Sequence, residues 1–348
     1  MATLEATLAA RTREAALYER GDGGRVRCHA CGHHCPIPDG AAGVCHVRFN
    51  RDGRLYAPWG YVAGLQFDPI EKKPFYHAWP GSLACSFGML GCDLHCAFCQ
   101  NWISSQALRD PAAGGAPAVA SPDGIVEEAV RLGARAVVST YNEPLITAEW
   151  GAAIFQRAKA AGLATGIVSN GYGSAEVVEF LRPWLDLVKI DLKSFDDRTY
   201  RRLGGRLDPV LDTIRGFHAA SLWIEIVTLI VPGLNDSDDE LRRLAGFIAS
   251  VSPDVPWHVT SFHREYRMLD GRDTTVADLQ RAARIGRAAG LRYVYAGNIP
   301  GRVGDLEQTR CVRCAGVLVD RVGFRVLANR VGKDGSCPDC GAPVAGRW

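Results

Sequence analysis

The chain has almost no charge of one sign in excess: 40 Lys and Arg stand against 38 Asp and Glu, for a formal net charge of +2 over 348 residues. A nucleic-acid partner therefore gets no support from bulk charge. Long hydrophobic runs are missing too, since no window approaches the roughly 18 apolar residues of a membrane-spanning helix. The first 27 residues are rich in Ala, Arg and Glu, and they lack the basic start and unbroken apolar stretch of a secretory signal. No internal repeat points to a solenoid or propeller. These absences predict a cytoplasmic globular protein with no membrane association.

Against that plain background stand 12 cysteines. In a reducing compartment clustered thiols bind metal or do redox work more often than they form disulfides. They fall as four (Cys28, Cys31, Cys35, Cys45), one isolated (Cys85), three (Cys92, Cys96, Cys99) and four (Cys311, Cys314, Cys337, Cys340).

Between the terminal groups, β-type apolar runs alternate with amphipathic stretches, the pattern of repeated βα units around a parallel sheet. Strands are predicted over Ala84–Leu90, Arg135–Thr140, Ala164–Asn170, Leu187–Lys193, Trp223–Val231, Trp257–Phe262 and Tyr293–Ala296. Helix starts are marked by Ser121-Pro122, by a capping box at Ser237 and Glu240, and by Thr275 with Asp278. The expected fold is α/β, a partial or complete (βα) TIM-like barrel over 81–300. An N-terminal segment over 1–80 carries one cysteine-rich module (28–45), and a second fills 301–348. An open doubly wound sheet is the rival.

The segment Cys92-Asp-Leu-His-Cys96-Ala-Phe-Cys99 puts three thiols on one short loop after the first predicted strand. Three thiolates can each hold one iron of a cubane and leave the fourth iron open to a non-protein ligand. A zinc or structural site would normally want four protein ligands. C-x3-C-x2-C with an aromatic, here Phe98, before the third cysteine resembles the hallmark of the radical S-adenosylmethionine (SAM) superfamily. The resemblance implies a [4Fe–4S] cluster that binds SAM and breaks one of its C–S bonds reductively. The resulting 5′-deoxyadenosyl radical would abstract hydrogen from a substrate.

Further motifs extend the resemblance. Ser139-Thr-Tyr-Asn-Glu143-Pro144 resembles the superfamily's Gly-Gly-Glu segment, which implies that Glu143 takes the SAM ammonium; Tyr141 and Asn142 replace the glycines, and a helix cap is the bland alternative. Ser169 and Asn170, before Gly171, are similar to the ribose-contacting end of glycyl-radical activases, with a simple turn as the alternative. Lys189-Ile-Asp191-Leu-Lys193 places three polar side chains on one face. The match of Asp191 and Lys193 to the activases implies contacts with SAM ribose or carboxylate, and a mutual salt bridge is the alternative. His258, Thr260 and His263 are expected on the substrate side, with His263 as the candidate catalytic residue.

Cys311-x2-Cys314 and Cys337-x2-Cys340 have the spacing of a zinc ribbon, with a rubredoxin-like iron site as the rival. Cys28, Cys31, Cys35 and Cys45 are less regular and interleaved with histidines; zinc is favoured over an auxiliary cluster. With these modules the chain resembles the radical SAM protein of the AmmeMemoRadiSam system, whose barrel is similar to pyruvate formate-lyase-activating enzymes. Matching stretches include Lys73–His77, Phe87–Cys92, Thr140–Pro144, Pro256–His258, Tyr295–Pro300 and Cys337–Gly341. Expected partners are a small-molecule or peptide substrate, an electron donor such as flavodoxin or ferredoxin, and proteins of the same system. The other readings are an activase that installs a glycyl radical on a partner enzyme, and a scaffold whose cysteines all hold structural metal.

Overall fold

In a computed structural model that describes residues 4–348, each of the seven apolar runs forms a strand whose ends lie within two residues of those predicted. An eighth strand precedes them. In chain order they are β1 (Gly64–Pro69), β2 (Leu83–Gly88), β3 (Ala136–Ser139), β4 (Ala164–Ser169), β5 (Leu187–Asp191), β6 (Trp223–Ile230), β7 (Trp257–Ser261) and β8 (Val294–Gly297). They make one sheet in simple sequence order, parallel from β2 to β8, with β1 antiparallel on β2. Among the described residues β1 and β8 do not pair, so the sheet is open along that edge. The sheet also begins upstream of residue 81, where the sequence pattern placed the boundary.

The connecting helices α1 (Pro122–Arg131), α2 (Ala148–Ala160), α3 (Ala175–Leu181), α4 (Leu207–Ala219), α5 (Asp238–Val251) and α6 (Val276–Ala288) bury their apolar faces. Ser121 caps α1 with Pro122 in its first turn, and Thr275 with Asp278 forms the expected capping box of α6. At α5 only half of the expected box exists. Ser237 accepts from the Glu240 N–H, but the Glu240 carboxylate turns away to accept from Ser194 Oγ and, at 2.8 Å, from Phe195 N. A buried loop with unpaired donors outbids the reciprocal cap.

The end of the sheet where the strands begin is plugged. Ala84, Ala136 and Ala164 stand in register on β2, β3 and β4, and these small residues leave room for Ile70, Phe75 and Ala78 to pack above Leu187. Glu225 on β6 accepts from the N–H groups of Tyr76 at 3.0 Å and His77 at 2.9 Å. His77 in turn touches the Ala345 carbonyl at 2.6 Å and the Tyr295 hydroxyl.

The C-terminal module, built on Thr309–Arg310, Val317–Val322 and Arg325–Asn329, seats beneath this plug. Arg347 N donates to His77 O at 2.7 Å, Arg321 donates to the Tyr76 carbonyl, and Arg321 lies 3.5 Å from the buried Glu71. The N-terminal module is at the other end of the strands: Gly32 N donates to Tyr172 O, just past β4, at 3.0 Å. No helix of the described residues is long and apolar enough to cross a membrane.

Candidate cluster and cofactor site

Cys92, Cys96 and Cys99 follow β2 on one loop and line a cavity of about 80 Å³ at the end of the sheet where the strands finish. Thr140, Tyr141, Asn142 and Glu143 come to it from beyond β3, Ser169 and Asn170 from β4, and Asp191 and Lys193 from β5. The sequence thus named most of the lining. The sulfurs are furnished as thiolate ligands would be. Leu94 N and Asn170 Nδ2 point at Cys92 Sγ from 3.4 and 3.7 Å, and Ser105 Oγ lies 3.2 Å from Cys99 Sγ. Burial pushes the Cys96 thiol up to about 11, opposed by the nearby Lys193 ammonium. Three thiols with N–H and O–H donors and a facing cation fit a cubane with one open iron. Phe98 is buried in the same loop.

Glu143 is held by three donors: Leu145 N at 3.0 Å, Ser169 Oγ at 2.7 Å and Asn170 N at 2.8 Å. Its carboxyl caps the turn Pro144–Thr147, so the cap is real and coexists with its place in the pocket. Burial, together with the charge of Asp93, pushes Glu143 up to about 8. Ser169 and Asn170 use their polar atoms inside the protein, Asn170 Nδ2 reaching Asp93 Oδ1 at 2.7 Å and its Oδ1 accepting from Tyr172 N. Asp191 pairs with both lysines, Lys189 and, at 3.5 Å, Lys193. Burial opposes the charge on Lys193, but Asp191, Cys96 and Cys99 outweigh it and hold the ammonium protonated.

Asp93 escaped the sequence reading, and so did the backbone conformation of Tyr141. Asp93, between the first two cysteines, is fully buried, and its Oδ2 has no hydrogen-bond partner. An acid inside a cysteine loop was the available signal. Tyr141 has φ +74°, a left-handed conformation at one of the positions where the superfamily's motif has glycine. Its hydroxyl is tied to Lys73 Nζ and Ser86 Oγ, each at 2.9 Å. Gly88 opposite is required, because a Cβ there would lie 2.4 Å from the Thr140 carbonyl.

The substrate-side expectations divide. His258 is not at the pocket: it sits low on β7, buried, 2.7 Å from Glu225 in the plug. Thr260 is buried and its hydroxyl faces the Thr228 carbonyl. His263 lies beyond β7 with 59% of its side chain exposed, 3.1 Å from Gln100 Nε2. It lines a separate groove of about 950 Å³ at the open edge, between β1 and β8, with Asp68, Gln100 and Asn298.

The ribbon thiols are closer together. All four Sγ atoms of Cys311, Cys314, Cys337 and Cys340 lie within 4.8 Å of one another, with Cys311–Cys340 at 3.6 Å and Cys314–Cys337 at 3.7 Å. A tetrahedral ion with metal–sulfur bonds of ~2.3 Å needs sulfurs about 3.8 Å apart. This set can hold one such ion.

The family model of the radical SAM superfamily matches residues 88–248, the stretch that carries the triad, Glu143, Ser169, Asn170, Asp191 and Lys193. An uncharacterized protein of Methanocaldococcus jannaschii is 34% identical over 335 residues, 95% of this chain and 98% of its own. The pyruvate formate-lyase-activating enzyme of Clostridium pasteurianum is 29% identical over 171 residues, covering 46% of this chain and 67% of that protein. A solved domain of a pyruvate formate-lyase-activating enzyme from Bacteroides vulgatus superposes with TM-score 0.42 at 22% identity, over 47% of this chain and 98% of the domain. The chain carries a radical SAM superfamily domain over residues 88–248 and is an enzyme of that class.

Proposed function

We propose that Cys92, Cys96 and Cys99 hold the [4Fe–4S] cluster, and that the enzyme cleaves SAM reductively and abstracts hydrogen from a small-molecule or peptide substrate. The observation that carries this reading is the convergence of three thiols, Glu143, Asp191 and Lys193 on one pocket, with Lys189 paired to Asp191. When bound, the cluster supplies the electron that breaks the C–S bond. The chain's own residues bind and orient: Glu143 accepts from the SAM ammonium, Ser169 and Asn170 hold the strand end against ribose, and Asp191 and Lys193 set the charge around carboxylate and cluster. His263 and Gln100 face the substrate from the groove at the open edge.

The reaction needs a low-potential donor such as flavodoxin or ferredoxin, which places it in a reducing cytoplasm, and partner proteins of the same system belong to this reading. The ribbon holds structural zinc, supported by its sulfur spacing and its distance from the pocket in the fold. Installation of a glycyl radical on a partner enzyme is the second reading, favoured by the likeness to a pyruvate formate-lyase-activating enzyme.

The test is anaerobic reconstitution, reduction with dithionite in the presence of SAM, and assay of 5′-deoxyadenosine and methionine. The parent makes both and Cys96→Ala makes neither while remaining folded. Product formation by Cys96→Ala at the parent rate overturns the assignment.

A further inference from the structure

Among the described residues two groups bring three or more metal-binding atoms within 4.8 Å of one another. One is the ribbon. The other is His29, His34 and Glu176, and it contains no thiol. The two histidines belong to the N-terminal module, whereas Glu176 stands in the first turn of α3, the helix that follows β4.

The backbone fixes all three. His29 N donates to Leu17 O at 2.9 Å, and the His29 carbonyl accepts from Ser174 Oγ. Ser174 also caps α3, accepting from Val177 N at 3.1 Å, so one hydroxyl ties the start of the helix to His29. Between the histidines, a Cβ on Gly32 would lie 2.8 Å from Pro209 Cβ, so the turn is pressed against α4. His33 reaches away from the group, its Nε2 3.1 Å from the Asp93 carbonyl. His34 has φ +44°, a left-handed conformation uncommon outside glycine. Its ring meets that of His29 edge-on, with centroids 5.4 Å apart.

The separations suit one ion. His29 Nδ1 lies 3.2 Å from His34 Nδ1 and 3.6 Å from Glu176 Oε1. A tetrahedral ion with bonds of ~2.0–2.1 Å to nitrogen and oxygen needs donors about 3.3 Å apart, a value between those two. The other nitrogen of His29, Nε2, is 3.8 Å from Glu19 Oε1. A carboxylate behind the second nitrogen is the common way to orient a metal-bound imidazole. Two imidazoles and one carboxylate leave a fourth position for water. His34 lines a cavity of about 580 Å³ beside Ser174 and Arg182, which has room for one.

We propose that His29, His34 and Glu176 bind one divalent ion, zinc, with water as its fourth ligand, and that this ion joins the N-terminal module to α3. Imidazole selects such an ion over magnesium or calcium, which prefer oxygen. The histidines bind as neutral rings, so any proton shared between the two Nδ1 atoms leaves when the ion enters. The site does not rest on the function proposed above, since none of its residues lines the cysteine pocket.

The test uses the full chain, prepared anaerobically, with zinc as the probe at micromolar free concentration. Crystals grown with zinc are expected to give an anomalous peak at the zinc edge ~2.0–2.2 Å from His29 Nδ1, His34 Nδ1 and a Glu176 oxygen. In solution His34→Asn, which tolerates the left-handed backbone, is expected to hold one zinc fewer per chain than the parent, with thiol-bound metal unchanged. Glu176→Ala is expected to weaken the same zinc by about tenfold or more, since even the outer partners of a ligand are worth that much. No peak at this position, or equal zinc counts in parent and His34→Asn, overturns the site and leaves a proton between the rings. Should His34→Asn fail to fold, the parent crystals decide together with Glu176→Ala, a change at a side chain that is 49% exposed. Metal is counted and located without SAM cleavage, so a failure here is distinct from a failure of the proposed function.

Discussion

Arg48 grips both carboxylate oxygens of Glu149, at 2.7 and 2.8 Å, across the join between the N-terminal module and α2. Both side chains are buried, and Glu149 Oε1 also accepts from Ala16 N at 3.1 Å and Leu17 N at 3.3 Å. Removing one partner of such a pair leaves the other buried and uncompensated, a loss of ~3–5 kcal/mol.

Arg48→Met is therefore expected to lower stability by about that amount at pH 7, measured by denaturant unfolding. Burial raises the Glu149 pKa, but Arg48 overrides it and holds the carboxyl below its ordinary value. The pair's contribution is present above the unfolded carboxylate pKa and lost as pH falls through the folded one. The gap between parent and variant should close in acid.

His77 gives a second pH dependence with its own window. Burial lowers its pKa from 6.5 to about 4. Below 6.5 the unfolded chain binds a proton that the folded chain refuses, so stability falls with pH between 6.5 and about 4, by up to ~3 kcal/mol. His77→Gln should flatten that part of the profile, and denaturant midpoints across the range will read it.

Lys193 bears on the cluster's potential. Its ammonium faces Cys96 and Cys99 as well as Asp191, and a nearby positive charge favours the reduced, more negative cluster. Lys193→Met should shift the reduction potential downward and slow SAM cleavage, with iron content unchanged. A potentiometric titration that leaves the midpoint in place would contradict this role.

On the zinc reading proposed above, Cys337→Ser should release the ribbon's ion and lower the unfolding temperature, because so small a segment would rely on its metal. Cluster iron at the triad should be unaffected, since the ribbon docks on the opposite end of the sheet. Zinc and iron analysis of the same sample checks both halves.

The strands were legible because burial on both faces gives unbroken apolar runs such as Trp223-Ile-Glu-Ile-Val-Thr-Leu-Ile. The β1 strand was not, since Gly64-Leu-Gln-Phe-Asp-Pro is a half-buried edge with little apolar density. The triad, Glu143, Ser169, Asn170, Asp191 and Lys193 could be read as local motifs that one strand end or loop delivers. His258 could not be placed, because its fate depends on Glu225, 33 residues earlier, and on the Tyr76–His77 plug. Glu240 illustrates the same limit: a local pattern predicted a cap, and a loop 45 residues away claimed the carboxylate.

The alanines of β2, β3 and β4 have a consequence for traffic. By admitting Phe75 and its neighbours they stopper the sheet at one end, and the ribbon seats over the stopper. Reactants and products are thereby left the cysteine-loop side and the open edge between β1 and β8. Three small side chains, remote from any reacting atom, close one of the doors.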